Sequence, residues 1–133
     1  MKNSIIYINQ ASADEILSEL KNAPNTFYVE IDGRKCKVSL DYLTEMSVKF
    51  QFPIPSKGYD GYLDWIRDLT WIEEENIVIV INYFKDFLCD DDQRDKQFVL
   101  ESFREIVFPW WESEVCDHMV EGKPRSFMVY VVE

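Results

Sequence analysis

The chain opens on a short apolar run, Ile5-Ile6-Tyr7-Ile8, which predicts a buried strand. Polar residues follow at once, and Ser12-Ala13-Asp14-Glu15 predicts a helix start. Ser12 can cap, and Glu15 three residues on completes a capping box. Ile16, Leu17 and Leu20 form the apolar stripe of that helix, and Asn22-Ala23-Pro24-Asn25 ends it. Residues 27–31 predict a second strand, closed by the turn pair Asp32-Gly33. A second helix opens at Ser39-Leu40-Asp41 and carries Leu40, Leu43, Met46, Val48 and Phe50. It stops at Phe52-Pro53-Ile54-Pro55, because two prolines fix φ and remove backbone donors.

Residues 58–70 predict a third helix that ends near Trp71. Ile77-Val78-Ile79-Val80-Ile81 is the strongest strand signal. Five β-branched residues without alternation imply burial on both faces, as in a parallel sheet covered by helices. Residues 88–96, with Asp90-Asp91-Asp92, predict an exposed loop. Residues 94–108 have helical periodicity, with Val99, Leu100, Phe103, Ile106 and Val107 on one side, and Pro109 suits the first turn of a further short helix reaching about residue 120. Gly122-Lys123-Pro124 is a turn, and residues 127–132 a closing strand. Strands separated by helices predict an α/β fold: a small, mainly parallel sheet of three to four strands flanked by four to five helices. There is no repeat, low-complexity tract or linker, so the 133 residues read as one domain.

Charge changes the picture of what such a domain could meet. Fourteen Lys and Arg stand against 25 Asp and Glu, a net charge of −11. A surface this acidic repels phosphate backbones and anionic lipid, which argues against nucleic-acid and membrane-surface partners and suits a basic protein partner. Most of the excess lies late: residues 67–133 hold seven basic and 16 acidic side chains. Three widely spaced cysteines, Cys36, Cys89 and Cys116, do not make a disulfide framework and fit a reducing cytoplasm. The N-terminal stretch does not read as a signal peptide, and no apolar run is long enough to span a membrane.

The third helix carries the candidate chemistry. At about 100° per residue, Tyr59, Tyr62, Leu63, Ile66 and Leu69 gather on one side and Asp60, Asp64 and Asp68 line up opposite at i, i+4 and i+8. Gly61 lies beside them, Trp65 sits at the border, and Trp71 follows the helix. Like charges at this spacing cost a helix about 0.2–0.5 kcal/mol per pair. The helix dipole favours Asp60 near the N-terminus but not Asp68 near the other end, so a stripe that breaks a local rule is a candidate contact face.

Asp60-Gly61-Tyr62-Leu63-Asp64, then Ile66-Arg67-Asp68-Leu69-Thr70-Trp71, then a hydrophobic strand, resembles the barstar family of intracellular ribonuclease inhibitors. Phe27-Tyr28-Val29-Glu30-Ile31-Asp32-Gly33 is similar to that family's opening strand and turn, Phe52-Pro53 to the pair before its recognition segment, and residues 99–105 to its last helix. The resemblance covers residues 27–133 and leaves residues 1–26 as an extension. It implies that Asp64 is the central acid that enters a nuclease active site, with Asp60 its acidic neighbour and Gly61 a small residue permitting close approach. It implies further that Trp71 borders the interface and that Glu105, on a later helix, pairs with a basic residue of the enzyme. Asp68 is a further candidate in line with Asp60 and Asp64.

Two departures bear on the partner. Where the family carries an aromatic pair before the acidic helix, this chain reads Ile54-Pro55-Ser56-Lys57-Gly58, and Leu63 stands where the residue before the central acid is often Trp or Asn; Arg67 fits the family pattern but puts a positive charge beside the candidate contact face. The functional expectation is a cytoplasmic inhibitor of a basic ribonuclease. The alternative is an immunity or regulatory interaction domain with another target.

No cofactor or metal is expected. Cys116 and His118 do not form a usual ligand pair, and Asp90-Asp91-Asp92 lacks the glycine and closing Glu of a calcium loop. One histidine, no nucleophile motif and no phosphate-binding loop speak against an enzyme. Carboxylate pairs alone leave a glycosidase conceivable, but a chain this short has little room for a sugar cleft.

Overall fold

Four parallel strands form the centre of the molecule, in the order β1-β4-β3-β2, in a computed structural model that describes residues 2–133. The strands are β1 (Ser4–Ile8), β2 (Thr26–Asp32), β3 (Asn76–Asn82) and β4 (Ser126–Val132). The helices are α1 (Gln10–Lys21), α2 (Ser39–Lys49), α3 (Tyr59–Ile66), α4 (Gln93–Ser102) and α5 (Val115–His118). This is the expected α/β architecture, with the sheet wholly parallel.

Burial explains the strand patterns. Central β3 is buried at five consecutive positions, whereas edge strand β2 buries Val29 and Ile31 and exposes Glu30. One sheet face, with Val29, Ile31, Ile77, Ile79, Ile81, Phe127, Val129 and Val131, packs into the main core shared with α2, α3 and α4. Val78, Val80 and Val132 belong to a smaller cluster with Ala13 and Leu17 of α1. The N-terminal extension thus adds both an edge strand and a helix to one sheet. Buried Asn3 ties it in. Its Oδ1 accepts from Phe127 N–H at 2.8 Å, and its own N–H donates to Glu112 at 2.8 Å.

Several local expectations need correction. Helix α1 starts earlier than the Ser12 box: Asn9 is the cap, accepting from Ser12 N–H at 3.0 Å, so Ser12 already lies inside the first turn. Leu40 and Val48 of α2 point to solvent, while Tyr42, Leu43, Met46 and Ser47 form its buried side. The Asp90-Asp91-Asp92 loop is a capping device and not merely solvated. Asp91 accepts the Ser39 N–H that opens α2 at 2.6 Å, and Asp92 caps α4 through Arg94 N–H at 2.9 Å. Pro109 does not begin a new helix. One helical path runs from α4 to α5 through two wider turns, Phe103–Val107 and Trp110–Glu114, with Pro109 helical at φ −61°. A proline has no N–H to place in a ladder, and a turn one residue wider accommodates that gap.

Candidate functional site

Helix α3 is short and clamped from behind. Tyr59 donates its hydroxyl to Ser39 at 2.9 Å, tying the start of α3 to the start of α2. The hydroxyls of Tyr62 and Tyr42, both fully buried, meet at 2.6 Å. At the other end, buried Trp111 donates its indole N–H to the Ile66 carbonyl at 3.0 Å. Leu63 and Ile66 are buried with them. The sequence supports this side: Tyr59, Tyr62, Leu63 and Ile66 recur at helical spacing.

The opposite side bears the expected acids. Asp60, Gly61 and Asp64 are exposed on α3. The helix stops sooner than the expected stripe. Arg67 is its C-cap, and Leu69, fully buried, adopts a left-handed conformation at φ 50°. That conformation is unfavourable for a bulky residue and usually falls to glycine. Asp68 therefore lies in the closing turn rather than on the helix. It still lines an open groove of ≈ 470 Å³ with Asp64, Gly61, Trp65 and the Ile54–Lys57 stretch.

That stretch is fixed by α2. The Ser56 N–H donates to Ser47 Oγ at 2.9 Å, and Ser47 in turn donates to Leu43 at 2.8 Å. Ser56 is 7% exposed, and its own hydroxyl lines the groove without a hydrogen-bond partner. A Cβ at Gly61 would stand 3.3 Å from that hydroxyl, so the glycine leaves the groove open where the loop and α3 approach. Ile54 stands exposed at the mouth.

Trp71 is half-buried. Its indole N–H donates to Phe50 O at 2.7 Å, and its ring meets Trp65 at 5.8 Å and Phe52 at 6.4 Å. It pins the turn after α3 to the end of α2 and supports Trp65 at the groove wall. Glu105 is carried on a different helix from the α3 acids. It is exposed in the first wide turn of the late helix, whose Phe98 meets Tyr59 at 4.9 Å and whose Trp110 lies under Arg67 at 5.8 Å. Glu105 falls between those two contacts, and no ion pair or hydrogen bond joins it to α3 among the described residues.

Two features of the site go beyond the sequence expectations. Arg67 is paired with Asp64 at 3.3 Å, a bond that the three-residue spacing on a helix allows. On its far side, Asp64, Arg67, Asp68, Trp110 and Met119 line a second groove of ≈ 340 Å³, giving the acidic face an apolar margin. Met119 and Val120 extend that margin, Val120 being 96% exposed. Among the described residues no group of His, Cys, Asp or Glu is arranged to hold a metal ion, and no helix is long and apolar enough to cross a membrane.

The arrangement can present two carboxylates from a rigid helix to a cationic surface, with a groove on either side to receive side chains. A family model described as Barstar (barnase inhibitor) matches residues 26–130. No curated protein and no solved structure matches the chain.

Proposed function

From its membership of the barstar family, we propose that this chain is a protein inhibitor that docks α3 into the phosphate-binding site of a basic ribonuclease. The observation that carries the reading is the pair Asp60 and Asp64, exposed one turn apart on a helix that is clamped on its back by Tyr42, Ser39 and Trp111. A ribonuclease must hold phosphate with Lys, Arg and His, and carboxylates on a rigid backbone can occupy that site through charge-assisted hydrogen bonds. No phosphodiester is presented, so nothing is cleaved. Asp64 is the central contact. Asp60 and Asp68 extend the acidic track, Gly61 keeps the groove open, Trp71 supports its wall and Glu105 meets a basic residue at the edge.

A second reading keeps the docking face and gives it a different target, as in an immunity or regulatory domain. The non-aromatic Ile54–Lys57 stretch and the Asp64–Arg67 pair favour it, because both change what the face offers.

Barnase is the direct probe. Wild-type protein should bind it and block RNA cleavage, with association slowing as salt rises. Removing one member of a charge pair desolvated at an interface costs about 3–5 kcal/mol. Asp64→Ala should therefore lower affinity by at least a hundredfold. If Asp64→Ala inhibits as well as wild type, the assignment of α3 as the docking face is wrong. If binding occurs without loss of RNA cleavage, the regulatory reading replaces the inhibitory one.

A further inference from the structure

Arg67 stands where it can oppose a partner that reaches Asp64 from the Trp110 side of the acidic face. Its Nη2 donates to Asp64 Oδ1 at 3.3 Å, and its Nε donates to Leu63 O at 3.1 Å. The guanidinium carbon stands 5.8 Å from the centre of the Trp110 ring. The Asp64 side chain is 76% exposed and that of Arg67 only 35%. The acid is therefore the more solvated member of the pair, and the cation is the one packed against its surroundings. Arg67 also lines the groove between Asp64 and the Trp110–Met119 margin. A cation approaching Asp64 across that margin passes directly over it.

We propose that Arg67 is a specificity-determining residue, an internal cation that weakens the face for sites bringing positive charge alone. This rests on the reading of α3 as the contact face. Two effects compete. The Asp64–Arg67 bond holds the carboxylate in one orientation, which helps a partner. The bond is single, long and exposed, so that help is small. Against it stands repulsion between the guanidinium and an incoming cation about 5 Å away, worth about a fourfold loss of affinity even in bulk water and more as the interface dries. Repulsion wins, so a site lined only by cations meets Asp64 at a disadvantage. Arg67 thereby sorts basic surfaces that differ little in total charge.

The test uses the full chain and an octalysine peptide, a probe whose side chains carry positive charge only. The titration is followed by the amide NMR shifts of α3, so that binding elsewhere on an acidic protein does not count. Arg67→Gln should bind the peptide at α3 at least about fourfold tighter than wild type. Arg67→Lys, which keeps the charge, should bind like wild type. The gap should close as salt is raised, since a merely structural change at Arg67 would persist in salt. If Arg67→Gln binds no tighter, or if no protein shows peptide-dependent shifts on α3, the proposal is overturned. Failure to inhibit barnase leaves this titration unaffected, so the two readings fail separately.

Discussion

Replacing Arg125 tests what holds the acidic face in place. This half-buried side chain donates to three backbone carbonyls of the segment between α3 and β3: Leu69 and Ile72 from Nη2 and Glu74 from Nη1, each at 2.9 Å. Its guanidinium carbon stands 5.0 Å from the Trp111 ring, and its backbone N–H donates to Trp111 O at 3.0 Å. Hydrogen bonds to a charged group contribute about 1.5–3 kcal/mol each. Two of the three share one nitrogen, and the site is open enough for water to re-solvate part of what is lost. Arg125→Ala should therefore cost about 2–4 kcal/mol, less than three independent bonds would. Against a total stability of about 5–15 kcal/mol, that is a large shift. Urea denaturation followed by tryptophan fluorescence measures it directly, as a lower midpoint at unchanged slope. Arg125→Lys should recover less than half, because one ammonium cannot span three carbonyls in fork geometry. A loss below about 1 kcal/mol for Arg125→Ala would refute the view that this residue fastens the turn carrying Asp68 and Trp71.

Two further outcomes follow from burial. Tyr62→Phe leaves the Tyr42 hydroxyl buried without a partner and should cost about 1–3 kcal/mol in the same denaturation, while the double change Tyr42→Phe/Tyr62→Phe should recover part of it. Burial pushes the Cys36 thiol up to about 12, with the charges of Glu45, Asp41 and Asp32 adding. A chromogenic disulfide reagent at pH 8 should label exposed Cys89 and Cys116 in the folded protein and reach Cys36 only on unfolding. Because that thiol stays protonated in the folded state, its contribution to stability is whole below the ordinary thiol value. It falls as pH climbs from there towards 12, which denaturation at pH 8 and pH 10 compares.

Much of the architecture was legible because periodicity reports burial. The unbroken apolar run of β3 announces a strand covered on both faces, and residues 27–31 with the Asp32-Gly33 turn announce β2. The acidic side of α3 was legible for the same reason, as the complement of its apolar stripe. What escaped was set by contacts distant in sequence. Nothing near Arg125 shows that it will fasten residues 69–74, and nothing in the Asp triplet shows that Asp91 will cap a helix 52 positions earlier. The end of α3 was hidden because Leu69 continues the apolar pattern while its backbone leaves the helix. Its complete burial makes that conformation tolerable. The Asp64–Arg67 pair was within reach of the sequence through its spacing, but the wall of Trp110 beside it was not.

The position of β4 has a consequence for how the molecule is made. It lies between β1 and β3, so the last of the four strands in chain order is the one that joins the first to the other two. Until it emerges, the opening strand has no neighbour and the sheet has a gap where Val129 and Val131 should stand. A nascent chain can therefore gather α2, α3 and β3 without closing, and closure waits on a pairing between residues more than a hundred positions apart, such as Ser4 with Met128. Pairings of this range are slow to form. A chain stopped before β4 lacks the strand that ties β1 to β3 and cannot complete the platform beneath the acidic helix.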